Sequence, residues 1–406
     1  GGVRVLRYSD LHATDATGRQ LPTHLELTQP RTTSHISRLT SHVSRFTSHV
    51  LRLIVDDSGA VYPITVDPLA TTPNWSAEGD QGDARFGVSV GTAGDVNGDG
   101  YDDFIVGAYN YDGGYGRGGA AFVYYGSVCG LSTAADWMAA SDEVGARFGY
   151  SVGTAGDVNG DGYDDVIIGA YWYDDIYAES AEGWAFVWHG SAAGLGADGT
   201  PGNADWTAQS NQGEACFGYS VGTAGDVNGD GYADVIVGAY KYTNGQSEEG
   251  AAFIWYGSGA GLGADGTPGN ADWAKEGGLS DAQFGTAVGT AGDVNGDGYD
   301  DVIVGAPRYT RTEGYEGLAF VYTGSGSGLN LVPHWHAESN QEIAYFGTSV
   351  GTAGDVNGDG YSDVIVGAPY YDHADEENRG AAFVWYGSDT GLGDDGHPDN
   401  SDWTVL

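Results

Sequence analysis

The sequence predicts an all-β protein assembled from five similar units, and three observations support this fold class. A nine-residue string, DVNGDGYDD or a close variant, occurs five times, each time between the same two apolar segments. Successive copies begin 62 to 69 residues apart, which is too long for a solenoid repeat and suits one small sheet apiece. The apolar segments are short, β-branched and bounded by glycine, as buried strands are. Each unit is therefore expected to form a sheet that carries one loop.

Each unit contains four strand-like segments, and the first unit shows them all. FGVSV begins at Phe86, DFIVGAY at Asp103, GGAAFVYYGS at Gly118 and ADWMAAS at Ala135. The nine-residue loop joins the first two segments as an antiparallel hairpin, and the other two can follow as a meander. Radial packing of such sheets protects their edges. The sequence thus predicts a β-propeller of four-stranded blades.

The repeated loop has the composition of a calcium site. Oxygen-bearing side chains occupy its first, third, fifth and ninth positions, and Ca²⁺ takes about six to eight oxygen ligands in irregular geometry. Zinc and copper would prefer nitrogen or sulfur. The seventh residue, a tyrosine, is expected to contribute its backbone carbonyl. For the loops at 95–103, 157–165, 226–234, 293–301 and 355–363, the predicted ligands are Asp95, Asn97, Asp99, Tyr101, Asp103, Asp157, Asn159, Asp161, Tyr163, Asp165, Asp226, Asn228, Asp230, Tyr232, Asp234, Asp293, Asn295, Asp297, Tyr299, Asp301, Asp355, Asn357, Asp359, Tyr361 and Asp363.

Two further positions of the loop support this interpretation. Glycines at positions four and six, Gly98 and Gly100 in the first copy, allow the positive φ that a tight loop requires. The eighth position varies and is expected to lie beside the site. A metal-free hairpin turn is the alternative, but a turn needs no aspartate at three positions, and clustered carboxylates without a cation repel one another. An EF-hand or dockerin loop is excluded because position twelve is Val or Ile. We expect about five Ca²⁺ ions, one per loop.

The whole unit resembles the FG-GAP repeat of integrin α-subunit propellers. The loop lies between Phe-Gly, which begins at Phe86, Phe148, Phe217, Phe284 and Phe346, and Gly-Ala-Tyr or Gly-Ala-Pro, which begins at Gly107, Gly169, Gly238, Gly305 and Gly367. The resemblance covers roughly residues 74 to 406. It implies calcium loops on the lower face of a propeller and ligand contacts mostly on the upper face. Such propellers are seven-bladed, so the five blades are expected to be a fragment of a larger ring, with closure of a five-bladed ring as the alternative.

Composition changes near residue 70. Of the 15 basic residues seven lie before it, whereas of the 57 acidic residues only six do. The propeller, assigned to residues 71–406, is therefore strongly acidic, which argues against nucleic acid and anionic membrane as partners. A solvated acidic surface, as in a saline habitat, explains the charge as well as an acidic binding face does.

Residues 1–70 predict a short β-rich segment before the propeller. Its strand-like pieces are VRVLRY, HLEL, LRLIVDD and AVYPITVDP. A tandem heptad at about 33–53 interrupts them, and its histidines are His35, His42 and His49. We interpret the heptad as a low-complexity insertion without chemistry, with a metal-binding histidine row and an amphipathic helix as alternatives. The two cysteines, Cys129 and Cys216, lie at non-equivalent places and indicate no disulfide framework.

Aromatic residues follow the second strand of every unit. They are Tyr109, Tyr111, Tyr171, Trp172, Tyr173, Tyr240, Tyr242, Tyr309, Tyr370 and Tyr371. Most are expected to pack between blades, and the rest would form an exposed rim suited to carbohydrate or protein contacts. Tyr111 and Tyr173, just past the strand, are predicted to be the more exposed.

The function predicted from these features is a calcium-binding, extracellular β-propeller module for protein or carbohydrate binding or cell adhesion, in a bacterial surface or secreted protein. Calcium loops of extracellular modules have Kd values on the order of 10⁻⁴ to 10⁻³ M, so they fill outside cells. The alternatives are a passive scaffold and a propeller enzyme, a hydrolase or lyase. No catalytic or organic cofactor-binding residue is predicted, because the scattered histidines share no spacing; the best of them are in HWH at 334–336. No insertion of this segment into a membrane is expected.

Overall fold

The computed structural model describes residues 75–405, apart from residues 115, 175–180, 312 and 374–376, together with the backbone of six short strands between residues 12 and 67. The chain divides into two compact units, Gly1–Ser76 and Ala77–Leu406.

The first unit contains two three-stranded antiparallel sheets. In one sheet β1 (His12–Thr14) lies between β2 (Gln20–Leu21) and β6 (Thr65–Asp67), and in the other β5 (His49–Val55) lies between β3 (Thr23–Thr28) and β4 (Arg45–Phe46). The predicted pieces HLEL, LRLIVDD and AVYPITVDP each contribute to a strand. VRVLRY lies outside the described residues.

The end of the heptad is extended. Phe46 pairs with His49 and Arg45 with Val50, so β4 and β5 form a tight hairpin. The alternative prediction of an amphipathic helix is therefore wrong for this part of the heptad. His35 and His42 lie outside the described residues, and the insertion without chemistry stays a prediction.

Five four-stranded antiparallel sheets follow in the second unit, one for each repeat. The first blade consists of β7 (Phe86–Gly94), β8 (Asp103–Ala108), β9 (Ala120–Tyr124) and β10 (Trp137–Ala140). The second consists of β11 (Ser151–Gly156), β12 (Asp165–Ala170), β13 (Trp184–Trp188) and β15 (Trp206–Gln209), and the third of β16 (Phe217–Gly225), β17 (Asp234–Ala239), β18 (Ala251–Trp255) and β20 (Trp273–Glu276). The fourth consists of β21 (Ala287–Gly292), β22 (Asp301–Ala306), β23 (Leu318–Tyr322) and β24 (Trp335–Glu338), and the fifth of β25 (Ser349–Gly354), β26 (Asp363–Ala368), β27 (Ala381–Trp385) and β28 (Trp403–Val405). The short strands β14 (Ala192–Leu195) and β19 (Gly259–Leu262) and the 3₁₀ helices Pro201–Asn203 and Pro398–Asn400 lie in connections between third and fourth strands.

The predicted fold class is confirmed: the second unit is all-β, with propeller blades of four antiparallel strands in chain order. The first strand of each blade packs against the first strand of the next, as β7 does against β11 and β11 against β16. Because the nine-residue loop connects the first two strands, all five loops lie at one end of the blades, the lower face. The turns after Gly-Ala-Tyr and Gly-Ala-Pro lie at the other end, the upper face. Whether the blades close into a ring stays a prediction.

The apolar core lies between the blades. Four clusters of buried side chains occupy the four junctions between successive blades. At the second junction, Trp206 of the second blade packs edge-to-face on Trp255 of the third, with ring centroids 5.3 Å apart, and its indole Nε1–H donates to the carbonyl of Ala264 at 3.0 Å. The corresponding indoles of Trp137, Trp273 and Trp335 donate to the following blade in the same way. Each junction is thus both apolar and directionally hydrogen-bonded.

Candidate functional site: the lower-face loops and the upper-face groove

Each nine-residue loop folds around the side chain of its first aspartate. In the second loop, Asp157 Oδ1 accepts hydrogen bonds from the N–H groups of Gly160 at 2.7 Å and Asp161 at 3.1 Å, and Oδ2 accepts one from Gly162 at 2.9 Å. The predicted positive φ is confirmed, since Gly160 and Gly162 have φ of 72° and 88°. A side chain at these glycines would be strained.

The third and fifth positions also point into the loop. Asn159 Oδ1 accepts the N–H of Asp161 at 2.9 Å, and Asp161 Oδ1 accepts the N–H of Tyr163 at 3.1 Å. The equivalent hydrogen bonds recur in the other four loops. The structure therefore brings positions one, three and five of each loop together on the lower face.

The ninth position has a different environment. Asp165 is fully buried, and its two oxygens accept the N–H groups of Val158 at 2.9 Å and Gly190 at 2.8 Å. Asp103, Asp234, Asp301 and Asp363 make the same pair of bonds in their own blades. Burial raises the pKa of Asp165 to about 7. This aspartate therefore ties the loop to the end of the third strand, a structural role that its spacing in the sequence did not reveal.

The chemistry of the donor set fits a hard cation. Positions one, three, five and nine offer carboxylate and amide oxygens, without nitrogen or sulfur, as Ca²⁺ prefers. In the described part of residues 75–405, however, no three His, Cys, Asp or Glu side chains form a group that could hold a metal ion. The loop carboxylates accept backbone N–H groups instead. The five ions and their ligands stay predictions.

Successive loops are hydrogen-bonded to one another through the eighth position. The N–H of Asp164 donates to the carbonyl of Asp95 in the preceding blade at 3.2 Å, and the next three junctions repeat this bond at 3.0, 3.1 and 2.9 Å. The carboxylate of Asp164 in turn accepts the N–H of Asp95 at 2.8 Å, and Asp300 does the same for Asp226. The eighth side chain was expected to lie beside its own site. In Asp164 and Asp300 it reaches the loop of the preceding blade, which spacing within one repeat cannot show.

The upper face carries a cluster of aromatic rings that crosses the first three blades, and the ring of Tyr109 in the first blade lies 5.6 Å from that of Tyr150 in the second, between centroids. The ring centroids of Tyr150 and Tyr171 are 4.6 Å apart, those of Tyr150 and Tyr219 4.8 Å, and those of Tyr219 and Tyr240 4.5 Å. The hydroxyls of Tyr150 and Tyr219 are hydrogen-bonded at 2.9 Å. Burial raises the pKa of Tyr171 to about 12 and also raises the pKa of Tyr219 and Tyr240. These phenols are therefore neutral near pH 7.

Two cavities open between these rings and adjoin each other. One of about 450 Å³ is lined by Tyr150, Tyr171, Trp172, Ala181, Glu214, Cys216, Tyr219, Tyr240 and Lys241. The other, of about 390 Å³, is lined by Tyr219, Tyr240, Lys241, Glu248, Gln283, Thr286 and Arg308. Since they share three lining residues, they form one depression, which we name the upper-face groove. Among its residues, Tyr150, Tyr219 and Arg308 were not singled out from the sequence.

The prediction for the aromatic residues is partly wrong. Tyr111 packs edge-to-face on Phe122 and Tyr173 on Phe186, with centroids 5.1 and 5.3 Å apart, so both belong to the blades rather than to an exposed rim. The exposed members are Trp172, at 44%, and Tyr370, at 49%.

The histidines of HWH do not form a catalytic group with a nucleophile in the described residues. His336 Nδ1 lies 3.0 Å from Asp395 Oδ1 and its Nε2 lies 2.8 Å from the Arg311 guanidinium, while His334 Nε2 lies 3.4 Å from the carbonyl of Thr390. His336 and Asp395 therefore connect the fourth and fifth blades. Both cysteines are free thiols, with Cys129 exposed and Cys216 buried.

Comparison with known proteins identifies the repeat. The model of the FG-GAP repeat matches residues 86–124, 148–183, 217–255, 284–322 and 346–385. Integrin alpha-6 of Homo sapiens is 35% identical over 37% of this chain and 12% of its own length, and integrin alpha-V of Gallus gallus is 32% identical over 54% of this chain and 20% of its own. The chain thus spans a fifth or less of the length of these two relatives.

Among solved structures, the exotype rhamnogalacturonan lyase YesX has a TM-score of 0.31 and 13% identity, covering 66% of this chain and 53% of that one. No helix in the described residues is long and apolar enough to cross a membrane. Each of the five matched repeats lies within one blade, and the chain is an FG-GAP repeat protein whose repeats are similar to those of integrin α subunits.

Proposed function

We propose that this chain is a calcium-stabilised, extracellular binding module of the adhesion type, in which the lower-face loops hold structural Ca²⁺ and the upper face meets the ligand. The observation that best supports this proposal is that all five loops have the same oxygen donors and that each is folded around its first aspartate. Binding of a cation to the folded state alone would add stability by mass action.

Calcium would act on the loops through positions one, three and five, with the carbonyl of position seven and the buried aspartate of position nine as the remaining predicted donors. The cation would neutralise carboxylates that lie close together at exposed positions. The hydrogen bonds that join successive loops would pass that stabilisation from one blade to the next. In this role the ion is structural, and no reaction step depends on it.

An extracellular setting is supported by the affinity class of such loops and by the similarity of the repeats to those of integrin α subunits. The ligand is a protein or a carbohydrate. A catalytic role is not proposed: of the HWH segment at 334–336, the best candidate in the sequence, His336 contacts Asp395 and Arg311 in a contact between blades.

The test is thermal unfolding of the full chain after EDTA treatment, followed by titration with calcium and, separately, magnesium. We expect the unfolding temperature to rise with calcium and much less with magnesium, which demands a more regular geometry. Asp161→Ala should reduce the rise, whereas Asp102→Ala, which changes an exposed aspartate outside the predicted ligand set, should not. An unfolding temperature indifferent to calcium would overturn the calcium role.

A further inference from the structure

The five repeats differ at two positions where their upper ends face the groove. Strands and loops repeat almost unchanged, yet the residue after Phe-Gly is Val88, Tyr150, Tyr219, Thr286 and Thr348 in turn. The residue after Gly-Ala-Tyr or Gly-Ala-Pro is Asn110, Trp172, Lys241, Arg308 and Tyr370. If these positions served only to pack one blade on the next, similar blades would carry similar residues there. Their divergence therefore indicates a surface that binds a ligand.

The groove has the form of a site for an extended ligand. Its two cavities, of about 450 and 390 Å³, meet at Tyr219 and Tyr240 and run from Trp172 at one end to Arg308 at the other. Each is of the size of a small-molecule site, and together they span parts of the second, third and fourth blades.

The walls of the groove present aromatic rings that are held in place. Tyr219 contacts Tyr150, Tyr171 and Tyr240, with centroids 4.5 to 5.3 Å apart, so its ring cannot turn freely. Trp172 is 44% exposed, and the Arg147 guanidinium lies over its ring, 5.0 Å from the centroid. Rigid phenol and indole rings offer an apolar face and a polar edge at low entropic cost, which suits sugar rings that carry C–H groups on one face and hydroxyls at the rim.

Basic residues at the groove stand out in so acidic a chain. Eight Lys and Arg lie after residue 70, and of these Lys241 and Arg308 line the groove. Lys241 has an ion-pair partner in Glu248 at 3.6 Å. Within the described residues, the Arg308 guanidinium makes no hydrogen bond or ion pair and lies over the ring of Tyr315, 5.9 Å from the centroid. A guanidinium in this state is suited to a carboxylate, which it binds through two parallel hydrogen bonds.

We propose that the upper-face groove binds an acidic oligosaccharide, with sugar rings on Trp172 and the tyrosines and a sugar carboxylate at Arg308. This inference deepens the proposed function by naming the class of ligand and rests on it for the role of the upper face. The aromatic walls and the Arg308 guanidinium at one end give the ligand a defined direction along the groove.

The test is calorimetric titration of the full chain, at saturating calcium, with a hyaluronan tetrasaccharide and with the same tetrasaccharide after reduction of its carboxyl groups. We expect binding of the acidic form and at least roughly tenfold weaker binding of the reduced form. Arg308→Gln should weaken binding of the acidic form by roughly tenfold, and Trp172→Ala should weaken binding of both forms. Arg117→Gln removes the same charge from an exposed upper-face loop outside the groove and should leave binding unchanged.

Absence of binding, equal binding of the two forms, or an equal effect of Arg308→Gln and Arg117→Gln would overturn the proposal. Thermal unfolding of each variant checks that it is folded; Arg308 is a half-buried residue in the wall of the groove. If the groove does not bind the oligosaccharide, the unfolding temperature should still rise with calcium. If calcium does not stabilise the loops, the unfolding temperature will not rise, and the oligosaccharide titrations will not report this.

Discussion

The carboxylate of Asp164 accepts the backbone N–H of Asp95 at 2.8 Å, across the junction between the first two blades. The N–H of Asp164 donates to the carbonyl of Asp95 in return. The two loops are therefore joined by a reciprocal pair of hydrogen bonds, and one of the two bonds depends on a side chain. At the next junction Ala233 occupies the same position and makes only the backbone bond.

Asp164→Ala should destabilise the protein by about 1 to 2 kcal/mol, because it leaves the N–H of Asp95 without its acceptor. Urea unfolding measures the change. Asp102→Ala is the matched control, since Asp102 occupies the same position in the first blade and is exposed. An equal effect of the two substitutions would mean that the bond across the junction contributes nothing.

Gly160→Ala should be more destabilising than Gly162→Ala, although both glycines have positive φ. A Cβ at Gly160 would lie 2.4 Å from the ring of Tyr232 in the next blade, whereas a Cβ at Gly162 has open space. Gly160→Ala therefore displaces a ring and also strains the backbone. Gly162→Ala only strains the backbone, which should lower the free energy of unfolding by about 1 kcal/mol. Thermal unfolding of the two variants should differ, and equal losses would contradict packing of the tyrosine on the preceding loop.

Asp165→Ala should destabilise the protein in EDTA as well as in calcium. Its carboxylate accepts two buried N–H groups, and leaving them unpaired costs about 1 to 3 kcal/mol each. Asp161→Ala, at an exposed position of the same loop, should have its main effect only when calcium is present. The ratio of the two losses, measured by thermal unfolding with and without calcium, separates the structural bonds of position nine from metal binding. A loss for Asp165→Ala confined to calcium would show that the two bonds are dispensable.

Trp206→Phe should cost about 1 to 3 kcal/mol, because the ring keeps much of its packing but loses the hydrogen bond to the carbonyl of Ala264. Trp403→Phe should change stability by less than about 0.5 kcal/mol, since this tryptophan of the fifth blade is 48% exposed. Urea unfolding of both variants tests the comparison. Similar values would indicate that the indole bonds between blades are not stabilising.

Much of the fold follows from residues whose role is local. The alternation of apolar segments and the nine-residue loop predicted the four strands of each blade, because strand length, β-branching and bounding glycines act within a few residues. Positive φ at Gly98 and Gly100 was predictable for the same reason and is observed, at 70° and 85°.

The contacts between blades could not be predicted in this way. Asp164 and Tyr232 contact the loops of the preceding blades, which are a full repeat away in sequence. Within a single repeat, a side chain that contacts the neighbouring blade looks the same as one that is exposed to solvent. The upper-face groove was missed for a related reason. Tyr150 and Tyr219 meet only because the first strands of successive blades lie side by side, although their departure from the residues at the same position in other repeats was a visible signal.

Every described junction between blades involves two blades only. In the described part of the chain, each apolar cluster joins one blade to the next, so the free energy of unfolding contains a term for each blade and a term for each junction. Val221 of the third blade is 7% exposed, whereas the equivalent Val90 of the first is 57% exposed. Amide hydrogen exchange should therefore be slower in the third blade than in the first, because water enters the third blade only after both of its described junctions have separated.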